Sequence, residues 1–145
     1  MRTIEVSTRD LLFALTNRAP GTSHYLDTET GEVVPAFAFN RDRILAMVKA
    51  DTNRYLRVAP QSGAQGFEMM RRFTATVSRE ELRRKLEAVL GDEHAFRGFR
   101  AVLKNVPTEY RRWRLFRIET MSEPLRARLR EKGVELKLVP DDEPK

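Results

Sequence analysis

A chain of 145 residues, 41% hydrophobic and 33% charged, is one domain's worth of ordinary globular sequence, long enough to bury a core without staples. The absence of cysteine excludes disulfides, thiolate nucleophiles and cysteine metal sites, and makes the cytoplasm the expected compartment. No apolar run approaches the ~20 residues of a membrane span, and the N-terminus lacks the apolar stretch of a signal peptide.

The net charge of +6 is unevenly spread. Residues 71–117 hold 13 basic against 6 acidic side chains, whereas residues 1–70 are neutral and residues 118–145 carry a net −1. Arginine supplies 21 of the 27 basic residues. Its planar fork suits phosphate or carboxylate, although a bias in coding composition accounts for the count equally well.

In chain order, Ser7 caps a first helix, with Asp10 three residues on and Val6 packing on Leu11 as a staple. Leu11, Leu12 and Leu15 give the apolar face, and Pro20-Gly21 ends the element. His24–Asp27 and Glu32–Phe39 read as a hairpin around the turn formers Asp27 and Gly31, and Pro35 marks its strand as an edge. Asn40 caps a short helix carrying Ile44, Leu45 and Val48. Tyr55–Val58 reads as a third strand closed by Pro60.

From about residue 63 the pattern is helical. Phe67, Met70, Phe73 and Val77 recur every three to four residues. Ser78 with Glu81 forms a second capping box ahead of Leu82, Leu86, Val89 and Leu90, and Gly91 stops that helix. A third helix carries Phe96, Phe99 and Leu103. A fourth carries Tyr110, Trp113 and Phe116 and runs on, or kinks, around Pro124 as far as Gly133. Val134–Leu138 alternates and is expected to return to the sheet. The expected domain is 1–139, with 140–145 an acidic, frayed tail.

Five blocks recur in a familiar order: Tyr25-Leu-Asp-Thr-Glu-Thr-Gly31-Glu-Val, Asn53-Arg-Tyr-Leu-Arg-Val-Ala-Pro60, Phe67-Glu-Met-Met-Arg-Arg-Phe73, Ala95-Phe-Arg-Gly-Phe-Arg100 and Trp113-Arg-Leu-Phe-Arg117. Over roughly residues 10–133 the chain resembles a bacterial family of unknown function, uncharacterised protein family number 0158. It departs from that pattern at Gly91-Asp-Glu-His94, where the family is glycine-rich, and at Arg97-Gly-Phe-Arg-Ala101. The resemblance implies the α+β architecture and no particular activity.

The chemistry is sparse. His24 and His94 are the only histidines and neither sits beside a nucleophile motif, so no catalytic residue is assigned. A zinc site takes three or four Cys or His ligands, so no metal site is assigned either. Asp27-Thr-Glu29-Thr-Gly31 lacks the full ligand ladder of a calcium loop and is expected to be a hairpin turn. Gly63-Ala-Gln-Gly66 precedes a helix without the lysine and hydroxyl of a Walker loop. It reads as a flexible lead-in loop rather than a phosphate cradle. No cofactor is implied.

The aromatics Phe96, Phe99, Tyr110, Trp113 and Phe116 fall on inward faces, with Trp113 a wedge between helices. Arg97, Arg100 and Lys104 share one face of the third C-terminal helix, and Arg111, Arg114 and Arg117 line a flank of the fourth. A short connection makes these helices antiparallel neighbours and merges the two rows into one basic surface. Its readings are a solvated face with local ion pairs such as Glu80 with Arg84, a nucleic-acid surface, or a surface for an acidic protein partner. The expectation is therefore an α+β domain, a small antiparallel sheet packed against a C-terminal helix array. It is read as a cytoplasmic, non-enzymatic binding or adaptor module with no membrane partner, and no pattern specifies its oligomeric state.

Overall fold

Arg2–Ser7 alternates polar and apolar residues, and in the structure, a computed structural model that describes residues 1–141, it forms strand β1. Ile4 and Val6 point inward from it. Thr8–Thr16 follows as helix α1, with Ser7 Oγ accepting from the Asp10 amide at 3.1 Å as expected. The expected hairpin is β2 (Ser23–Asp27) with β3 (Val33–Ala36); α2 is Arg41–Ala50 and β4 is Tyr55–Arg57. These three strands form an antiparallel sheet in the order β3-β2-β4, which places Pro35 on an edge strand where its missing N–H is harmless. Helices α3 (Gly63–Ala75), α4 (Glu80–Leu90), α5 (Ala95–Lys104) and α6 (Pro107–Glu131) follow, then β5 (Val134–Val139). The architecture is mixed α+β, as the pattern suggested.

Three local expectations are corrected. Strand β1 was hidden behind the Ser7 cap and the Val6 staple. Its presence redirects β5, which does not join the antiparallel sheet but pairs with β1 in parallel, Ile4 opposite Leu136 and Val6 opposite Leu138. The cap of α4 is Arg79 rather than Ser78, with no side-chain capping bond. Gly63–Gly66 is no loop. It is the first turn of α3, closed by a capping box in which Ser62 and Gln65 each bond the other's backbone N–H, at 3.1 and 2.9 Å. That box occupies the Gln65 amide a phosphate would have used.

By contact density the chain divides into two units, Met1–Pro60 with the chain from Ser122 onward, and Gln61–Met121. In the first, Asp27 organises the hairpin turn. Its carboxylate, 5% exposed, takes both Nε and Nη2 of Arg54 at 3.0 and 2.8 Å and the Glu29 amide at 2.9 Å. The turn is thus tied to the start of β4, and the calcium-loop reading loses its first ligand to an arginine. Gly31 closes the turn at φ +84°, and a Cβ there would lie 2.0 Å from the Glu5 carbonyl oxygen of β1, so only glycine fits. The α6 end is bound to the strands by Arg128 Nη1 on the Arg57 carbonyl and Arg126 Nη1 on that of Leu136, both at 2.8 Å. Asp141 accepts from Ser7 Oγ and, at 2.7 Å, from the Arg9 amide at the start of α1. The rest of the expected frayed tail, residues 142–145, lies outside the described residues.

His24, 2% exposed, packs edge-on to Phe13 and Phe37 with ring centroids 5.4 and 6.2 Å away. Asn17 Oδ1 accepts from the Ala19 amide, which turns its Nδ2 toward His24 Nε2 at 3.1 Å. Nε2 is therefore the acceptor and the ring is the neutral Nδ1–H tautomer. Protonation would set N–H against N–H, and burial pushes its pKa below the ordinary value.

The second unit is built on rings. Phe73, Phe99 and Trp113 meet with centroids 4.9 to 6.3 Å apart, and Phe116 lies 5.4 Å from Phe73. Arg112 covers the Phe73 ring at 4.3 Å while donating to Thr76 Oγ1 and pairing with Glu109.

The two titrating groups of β2 give the first unit a two-step acid response. The unfolded chain protonates His24 near pH 6.5 and the folded one resists, so stability falls as pH drops below about 6.5. The Arg54 bond holds Asp27 down at about 2, so its contribution, on the order of 2–3 kcal/mol, persists until about pH 4 and vanishes toward pH 2. Urea unfolding followed by far-UV circular dichroism should show both declines. His24→Gln should flatten the upper one and Asp27→Asn the lower. Stability unchanged between pH 8 and pH 5 would contradict a buried neutral histidine.

Candidate functional site

Helix α5 places Phe96, Arg100 and Lys104 at i, i+4 and i+8, and α6 places Tyr110, Arg114 and Arg117 at i, i+4 and i+7. Each set is a stripe along one side of its helix. The stripes flank the buried residues Phe99 and Leu103 on α5 and Trp113 on α6. Because Phe99 and Trp113 pack together, the stripes meet along one seam.

The contacts across that seam run in opposite directions on the two helices, as antiparallel neighbours require. At one end the Arg117 guanidinium lies 4.9 Å from the Phe96 centroid. At the other, Tyr110 sits within the influence of Arg100, Lys104 and Arg114, with Arg114 6.0 Å from its ring. Arg100 foremost among them, these cations lower the Tyr110 pKa. Burial, then repulsion from Arg100, lowers that of Arg117, which remains a cation at any biological pH. Its Nε is buried and has no hydrogen-bond partner among the described residues.

Of the six basic residues singled out by pattern, Arg100, Lys104, Arg114 and Arg117 converge here. Arg97 and Arg111 are exposed, and neither lies over a seam ring among the described residues or contributes to the shift of Tyr110. None of the six forms an ion pair among the described residues. In the same unit Arg71, Arg83, Arg84, Lys85 and Arg112 each pair with a glutamate three or four residues away. The Glu80–Arg84 pair exists, but on α4. Among the described residues, no carboxylate pairs with any of the converged cations.

Periodicity alone places two members of the site, Phe96 and Tyr110, in the core. Phe99 and Trp113 are buried as expected, while Phe96 is 42% exposed and Tyr110 and Phe116 are half-buried. Phe67 is also 42% exposed. The signal that separates Phe96 from Phe99 was present in the spacing, since Phe96 shares its stripe with Arg100 and Lys104.

The other concave places offer less. A cleft lined by Arg2, Glu29, Arg54 and Lys132 has its cations already engaged, Arg2 on the Thr28 carbonyl and Arg54 on Asp27. A second, beside His24, is lined mainly by the backbone-rich Asn17–Ser23 loop. His94 is an exposed residue at the α5 cap with no side-chain capping bond. Among the described residues no three His, Asp or Glu side chains gather as metal ligands, and no helix is long and apolar enough to cross a membrane.

The influence of Arg100 makes Tyr110 a reporter of the seam. Ultraviolet titration of the tyrosines should resolve one that ionises below the ordinary range, and Arg100→Gln should move it back up. An unaltered titration curve in that variant would mean that Arg100 does not reach Tyr110.

Across residues 1–141 the chain matches the Uncharacterised protein family (UPF0158), and it belongs to that family. No curated protein and no solved structure matches it.

Proposed function

We propose that this family member is a non-enzymatic binding module that takes nucleic acid by its phosphates on the α5/α6 seam, in a bacterial cytoplasm. The observation that carries the reading is the gathering of Arg100, Lys104, Arg114 and Arg117 around Tyr110 with no ion-pair partner among the described residues. Cations held together in this way repel one another, as the effect of Arg100 on Arg117 records. A polyanion laid along the seam relieves that repulsion and has no existing ion pair to break. Arginine forks suit phosphate oxygens, and the exposed Phe96 ring beside them suits a base better than a carboxylate-bearing protein surface. The cysteine-free sequence fits a reducing compartment.

Phosphate contacts release counterions, so affinity should fall linearly with salt on logarithmic axes. Four contacts at −0.7 to −0.9 each give a slope of about −3, and sequence-tolerant affinity of about 10⁻⁴ to 10⁻⁶ M at physiological salt. Fluorescence anisotropy with labelled single strands and duplex measures both. Changing the exposed Arg100, Lys104 and Arg114 together to glutamine should bring the slope near −1 without altering the circular dichroism spectrum. No binding of either probe at low salt rejects the reading in favour of an acidic protein partner. Binding unchanged in the triple variant places the surface elsewhere.

A further inference from the structure

We infer that the α5/α6 seam takes a single strand in preference to a duplex, with a nucleobase laid on the ring of Phe96; this rests on the nucleic-acid reading of the same site. A large aromatic left 42% exposed on a helix whose neighbours Phe99 and Leu103 are fully buried is not part of the core. Phe96 is also not isolated. It stands in the stripe of Arg100 and Lys104, and the Arg117 guanidinium lies 4.9 Å from its centroid.

The Nε of that arginine is buried without a partner among the described residues, and its guanidinium lies over the Phe96 ring. It therefore braces the ring from the seam side and adds positive charge at the platform. Phe96 is still 42% exposed, beside cations that have no ion-pair partner among the described residues. Aromatic surface next to such cations is the arrangement on which unpaired bases stack while their phosphates are neutralised alongside. A duplex can offer the phosphates but not a base face, since its bases are stacked on each other and must be flipped out to be reached. The cations thus serve either form, and the ring discriminates between them.

The test uses the full chain and three labelled probes of equal length at one salt concentration: oligothymidylate, an abasic strand, and a duplex. Oligothymidylate should bind about five- to a hundredfold more tightly than the abasic strand, the fold-change that stacking of a base on an aromatic side chain is worth. It should also bind more tightly than the duplex. Phe96→Ala should remove that advantage while leaving the salt slope of the remaining binding intact, and Phe96→Trp, which keeps a stacking ring, should retain it. Since Phe96 stands outside the buried core at 42% exposed, both variants should keep the circular dichroism spectrum of the parent. Equal binding of the three probes, or oligothymidylate binding indifferent to Phe96→Ala, overturns the inference and leaves phosphate binding standing. Failure of every probe to bind the parent at low salt overturns the nucleic-acid reading itself, and this inference with it.

Discussion

The contact between Phe99 and Trp113, centroids 4.9 Å apart, decides where every cation of the candidate site can stand. A helix repeats every 3.6 residues, so turning residue 99 of α5 and residue 113 of α6 toward each other leaves only their flanks free. The flanks that meet carry Phe96, Arg100 and Lys104 on one side and Tyr110, Arg114 and Arg117 on the other. Burying rings of this size is worth about 1.5–3 kcal/mol each. Two exposed like charges 4 Å apart cost about 1 kcal/mol in water. Packing therefore wins over repulsion, and a stable fold can hold a cation cluster, without ion pairs among the described residues, that electrostatics alone would disperse. Phe73 and Phe116 extend the same ring cluster, and Arg112, paired with Glu109 and laid on Phe73, shows what an arginine in this unit looks like when its role is structural.

How legible the chain was depended on whether a signal was local. The hairpin, the third strand, the edge position of Pro35 and all four C-terminal helices follow from turn formers and periodicities a few residues long. Strand β1 was missed because the six residues Arg2–Ser7 abut a helix cap, and the cap accounted for Val6 by itself. The partner that makes a strand of them, β5, is over a hundred residues away and pairs in parallel, so nothing near Val6 announces it. The Asp27–Arg54 pair is invisible for the same reason. Asp27 looks like a turn residue and Arg54 like a surface arginine until the antiparallel register sets Asp27 opposite Tyr55.

The site was legible in outline and not in membership. A basic stretch at helical spacing identified the two helices and four of the residues that converge. Arg97 and Arg111 share the charge and the helices but not the ring contacts, which a count of charge does not reveal. Phe96 and Tyr110 were assigned inward because a spacing of three fits Phe96 with Phe99 and Tyr110 with Trp113. A residue at the margin of an apolar stripe satisfies that spacing as well as one at its centre. Only the packing shows that the margins face each other and that both rings border the charge. The Ser62–Gln65 box was missed because the glycines on either side of Ala64 and Gln65 outweighed a capping pair that reads plainly once the helix start is known.

The central claim is that one seam, and not basic charge in general, receives the nucleic acid. Arginine side-chain Nε–H resonances report it residue by residue. During titration of the ¹⁵N-labelled protein with oligothymidylate, the account predicts that Arg100, Arg114 and Arg117 shift together at the lowest ligand ratios. Arg71 and Arg84, paired with Glu68 and Glu80, should stay in place. Equal movement of the paired and unpaired arginines, or early shifts confined to Arg2, Arg54 and Arg57, would contradict it.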